Sequence, residues 1–132
     1  MSFEVIIVLL TAHWLADFVF QKEEWARGKH NSATDLLSHT LNYALVMFVS
    51  VVAYHAIVLG SDIDMFAIFY FWVFTLVTHT AVDFVTSKFT KIYSDKMQWY
   101  YSNKKLGFFP TIGLDQLIHY ILLFGSYKVL FL

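Results

Sequence analysis

The sequence predicts an all-α protein, a bundle of four membrane-spanning helices. Three observations lead there. The 132 residues are 58% hydrophobic and 20% aromatic but only 14% charged, with a mean hydropathy of +0.58. A soluble domain has nearer a quarter charged residues, so the apolar excess must face something other than water. Four runs approach the roughly 20 residues that a helix needs to cross a hydrocarbon core. Basic residues, finally, gather in alternate links between those runs.

In chain order the spans are expected at Ser2–Gln21, Asp35–Leu59, Asp64–Phe84 and Thr111–Leu132. They make one membrane domain over residues 1–132. Before the first run there is no basic stretch; Lys22, Arg27 and Lys29 follow it. That order reads as a retained span, not a removable leader. The third link, about 87–110, holds Lys88, Lys91, Lys96, Lys104 and Lys105. The second link, Gly60–Asp64, holds Asp62 and Asp64 and no basic residue. Basic links stay cytoplasmic, so both termini are expected outside and the first and third links inside. In the third link, lysines are interspersed with Trp99, Tyr100, Tyr101, Phe108 and Phe109, which reads as an amphipathic segment on the inner leaflet. Pro110 and Thr111 then open the fourth helix.

A net charge of −1 argues against nucleic-acid binding. With no cysteine, disulfides and thiolate metal sites are excluded. Any metal must be held by His, carboxylate, amide or backbone oxygen.

The chemistry lies in the polar residues inside the spans. Each expected helix has one His/Asp pair at i,i+4: His13 and Asp17, Asp35 and His39, His79 and Asp83, Asp115 and His119. That spacing places both residues on one helix face, a turn apart. The inward-running helices read His-x-x-x-Asp and the outward-running helices Asp-x-x-x-His. Motif and chain direction invert together. All four Asp are therefore expected nearer the cytoplasm, with the His about 6 Å deeper. The chain has seven Asp and six His, so four matched pairs, one per helix, are a rare coincidence.

A metal-free polar network or proton relay is the plainer alternative, since buried His and Asp do pair within membranes. Four desolvated carboxylates in one small bundle repel one another, and a divalent cation relieves that cost directly. The expected ligands are His13, Asp17, Asp35, His39, His79, Asp83, Asp115 and His119. Asp35 is equally explained as a first-turn acid behind a Ser32 or Thr34 cap. Gln21 and Gln116 are expected to orient ligands from behind. His55 is expected at the outer interface and His30 in solvent. Mixed imidazole and carboxylate ligation favours zinc, with manganese or iron next, as one or two ions.

These residues also carry a resemblance. His13-Trp-Leu-Ala-Asp17-Phe-Val-Phe-Gln21, then His39, His79-Thr-Ala-Val-Asp83 and Asp115-Gln116-Leu-Ile-His119, resemble a family of bacterial and phage membrane proteins, domain of unknown function 3307. The resemblance spans nearly the whole chain and implies a multi-pass protein of the bacterial inner membrane, without implying an activity. A looser similarity is to membrane-bound metal-dependent hydrolases. Within the chain, His13-x-x-x-Asp17-Phe18 recurs as His79-x-x-x-Asp83-Phe84. This predicts two hairpins related as a parallel repeat, donating equally to a central site.

Three functions are expected, in order. The leading one is a metal-dependent hydrolase acting on a phosphoester or lipid headgroup at the inner leaflet, with Asp83 or Asp115 as catalytic carboxylate. Arg27 is the only arginine, so the metal is expected to bind the phosphate. The second is a metal or proton transporter, disfavoured by the apolar outer halves Leu45–Ala53 and Met65–Phe74. The third is a non-enzymatic phage or bacterial protein with a structural metal. The bilayer is the expected partner, and a homo-oligomer is compatible.

Overall fold

The computed structural model describes residues 1–60, 64–95 and 108–132, with side chains except at 91–95 and 108–110. Every regular element among the described residues is helical. Helix α1 spans Phe3–Trp14, and its N-cap Ser2 accepts a hydrogen bond from Val5 N at 3.4 Å. It runs on as a π-helical turn over Leu15–Val19, marked by the i→i+5 bond from Phe20 N to Leu15 O at 2.8 Å. Helix α2, Glu23–Gly28, is short and lies within the first link. Helix α3 spans Ala33–Ala53 behind a Ser32 cap and continues as a second π-helical stretch, Tyr54–Leu59. It ends at Gly60, whose φ of 55° is the left-handed conformation that glycine adopts freely. Helix α4 spans Met65–Asp95, with Asp64 Oδ1 accepting from the amides of Phe66 and Ala67. Helix α5 spans Phe108–Phe131.

Three features stand out against the hydropathy reading. Helix α4 continues past Phe84 to Asp95, because polar residues such as Thr86, Ser87 and Lys88 end an apolar run without breaking a helix. Helix α5 begins ahead of Thr111, with Pro110 in its first turn, where a missing N–H costs little. And α2 was hidden in a segment too short and polar to register as an apolar run. The interfacial segment expected at Trp99, Tyr100 and Tyr101 lies outside the described residues.

Helix α4 is central, packing most extensively on α5 and α3; α1 packs on α3 and only lightly on α5, while α2 rests on α3. Leu9, Met47, Ile68, Phe71 and Leu123 form part of one buried cluster. The distribution is the reverse of a water-soluble bundle. His13, His39, His79 and Asp83 are sealed inside, while Leu45, Phe66, Val77 and Ile121 are more than half exposed. Among the described residues, two helices are long and apolar enough to cross a membrane: Ala33–Leu59, of 27 residues, and Met65–Thr90, of 26.

Candidate metal centre

The four long helices bring their polar faces together around α4. His39 Nε2 lies 3.1 Å from Asp17 Oδ1 and 3.0 Å from Asp83 Oδ2. His79 Nε2 lies 3.6 Å from each of the same two oxygens. The two Nε2 atoms are 3.1 Å apart. Two imidazoles and two carboxylates thus aim at one point, and a ligand atom from each falls within 4.8 Å of the others. A second group adjoins it. His119 Nε2 is 3.4 Å from Asp83 Oδ1 and 3.5 Å from Asp115 Oδ1. Asp83 belongs to both groups, one oxygen toward each.

The donor set fits divalent cations. Asp17 Oδ1, Asp83 Oδ1 and His119 Nε2 are buried without a hydrogen-bond partner among the described residues. Buried polar atoms are normally satisfied, so such atoms within a cluster of imidazoles and carboxylates are compatible with a bound cation. Imidazole with carboxylate is a ligand set for zinc, manganese or iron.

Six of the eight expected ligands are brought together: Asp17, His39, His79, Asp83, Asp115 and His119. His13 and Asp35 are not. His13 lies beside the groups, but both its ring nitrogens are engaged. Nδ1 is 2.7 Å from the Tyr43 hydroxyl and Nε2 is 2.8 Å from Gln116 Oε1. An amide oxygen only accepts, so Nε2 carries the proton and Nδ1 accepts from Tyr43. His13 Nε2 stays 3.8 Å from Asp17 Oδ2, so the i,i+4 pair shares a face while only Asp17 enters a candidate ligand group. Asp35 is held in the first turn of α3 by the Ser32 cap, and its carboxylate lies against Gly28. An ideal Cβ on Gly28 would stand 1.9 Å from Asp35 Oδ2.

Gln116 supports the ligands as expected: its Nε2 donates to Asp17 Oδ2 at 3.0 Å and to Asp115 Oδ2 at 3.1 Å. Gln21 borders the cavity described below. Three contributors were missed. Tyr43 stacks on His79 with centroids 3.6 Å apart, and its place four residues after His39 on one face was the available signal. Thr86 donates to Asp115 Oδ1 at 2.6 Å from one turn beyond Asp83. Lys29 donates to Asp83 Oδ2 at 3.1 Å, and no local pattern in the first link distinguishes it. Burial works against its ammonium, yet Asp83 and Asp17 outweigh that and hold it above its ordinary range. His55 is buried and pairs with the Tyr127 hydroxyl at 3.0 Å, while His30 is half-buried.

A cavity of about 490 Å³ is lined by Asp17, Asp115 and Gln116 together with Arg27, Lys29 and His30. His79 and His119 instead border a separate gap of about 10 Å³, with Thr75 and Ser126. Asp17 and Asp115 thus share a cavity with basic residues of the first link, and His79 and His119 do not line it.

No curated protein and no solved structure matches the chain. A family model does, described as a protein of unknown function, DUF3307, and it covers residues 5–132. The chain belongs to the DUF3307 family.

Proposed function

We propose that this chain is a metal-dependent hydrolase of the bacterial inner membrane. All four long helices span the bilayer, both termini lie outside, and phosphoester substrates are met at the cytoplasmic face. The observation behind this reading is Asp83, one carboxylate presented to two adjacent ligand groups. Asp17, His39 and His79 complete one group, and Asp115 and His119 the other. A pair of divalent cations there, zinc by preference, would supply Lewis acidity and charge neutralisation for attack on a phosphoryl group.

The protein's own groups divide the remaining work. Asp115 has 14% of its side chain exposed and borders the cavity, whereas Asp83 is 1% exposed. Asp115 is thus the carboxylate placed to take a proton from attacking water, and Asp83 a holding group. Thr86 and Gln116 fix the two oxygens of Asp115. His13, itself fixed by Tyr43, fixes Gln116. Transport is the weaker reading, because the gap beyond the histidines has room for about one water.

The test combines elemental analysis of detergent-purified protein with a phosphomonoester assay. Expected are one to two zinc, manganese or iron ions per chain and a hydrolysis that chelation abolishes and metal restores. Purified protein with no transition metal, and none taken up on reconstitution, sinks the reading.

A further inference from the structure

The cavity beside Asp17 and Asp115 has a lining of two unlike kinds. Arg27, Lys29 and His30, at the end of α2 and just after it, contribute basic groups. Phe18, in the π-helical turn beyond α1, and Ile112 of α5 contribute apolar ones. Phe18 is about half exposed.

Arg27 is available to a ligand. Arg27 pairs with Glu23, but both side chains are more than three-quarters exposed and such a pair is worth little. Its guanidinium can exchange Glu23 for a phosphate, which it matches bidentately. Lys29, in the same lining, reaches Asp83 while a fifth of its side chain remains exposed. Carboxylates alone would repel an anion from the cavity, so this inference rests on the metal reading given above.

We infer that the cavity takes the phosphate headgroup of a membrane lipid. Arg27, Lys29 and His30 face the anion, and Phe18 and Ile112 face the first carbons of its acyl chains. A soluble phosphate ester shares the anion chemistry, but nothing in it would use the apolar lining. The volume of about 490 Å³ suits a headgroup with its glycerol, within the range of small-molecule sites.

The test measures binding to metal-loaded protein in detergent by calorimetry. The probes are dioctanoyl phosphatidic acid, dioctanoyl phosphatidylcholine and glycerol 3-phosphate, and metal content is read separately on every sample. Phosphatidic acid is expected to bind at least about tenfold more tightly than either of the others. Arg27→Gln with His30→Gln should weaken it about tenfold with metal content unchanged, since neither residue is among the ligand groups. Phe18→Ser should remove the advantage over glycerol 3-phosphate. Equal binding of glycerol 3-phosphate overturns the lipid assignment in favour of a soluble ester. Equal binding of phosphatidylcholine, or no response to the Arg27/His30 change, overturns the role of the basic groups. A wild-type protein without metal fails the parent reading instead, and the metal measurement identifies that case.

Discussion

His13 and His79 hold matching positions in the two hairpins, as do Asp17 and Asp83, Asp35 and Asp115, and His39 and His119. In the α4–α5 hairpin all four residues enter the ligand groups. In the α1–α3 hairpin only Asp17 and His39 do. The unused pair has other work. His13 positions Gln116, which in turn ties Asp17 to Asp115. Asp35 packs against Gly28, beside Lys29 and Arg27. One spacing therefore serves two purposes: in the α4–α5 hairpin both pairs enter the candidate ligand groups, whereas in the α1–α3 hairpin one residue of each pair enters and the other supports it or the cavity lining. Surroundings decide which. Tyr43 and Gln116 satisfy His13, whereas His79 has Tyr43 stacked on its face and its Nε2 left for the cluster.

This asymmetry can be broken experimentally. The largest effect is expected from Asp83→Ala, which removes the oxygen donors common to both groups. Bound metal, read by elemental analysis, should fall to less than about a tenth of wild type. Its repeat counterpart Asp17→Ala should retain metal in the group formed by Asp83, Asp115 and His119. Equal losses would mean that the hairpins contribute symmetrically after all.

Next come the two histidines. His79→Ala should weaken metal binding more than about 100-fold, while His13→Ala should cost about 10–100-fold, as expected of a group that orients ligands. Competition with a chromophoric chelator separates the two. A larger loss for His13 would make it a ligand and restore the symmetry.

A smaller effect is expected at Gly28. Gly28→Ala must displace Asp35, at about 1–3 kcal/mol, read as a lowered thermal midpoint in detergent. Adding Asp35→Ala should recover part of the loss, because it removes the two closest atoms. No recovery would place the strain elsewhere. Smallest of all is Asp35→Ala alone, for which metal content should stay within about twofold of wild type, as for a residue that binds no ion. Loss of metal there would return Asp35 to the ligand set.

Much of the site was legible in the sequence because a membrane helix shows its polar residues against an apolar background. Asp17, His39, His79, Asp83, Asp115 and His119 could be picked out by spacing alone. Spacing fixes which face a residue shares but not what stands opposite, so nothing indicated that Tyr43 and Gln116 would claim His13. Nor does hydropathy register a π turn, and Asp17 lies within the one at Leu15–Val19. Asp35 was ambiguous for a related reason: the apolar run begins there, but the helix begins at Ala33. Lys29 entered the sequence argument only as a charge that sets topology, since contact with Asp83 joins residues 54 positions apart. The extension of α4 to Asp95 was invisible because hydropathy measures the solvent a helix prefers, not where its backbone stops.

Asp83 also has a consequence for loading. With one oxygen turned to each group, its orientation cannot be set for one ion without being set for the other. The first ion to bind would immobilise the carboxylate and relieve its charge, which changes the affinity left for the second. By thermodynamic reciprocity the second ion alters the first by the same factor. A titration should then depart from two independent sites, and the half-loaded protein would be a distinct species, not the average of empty and full.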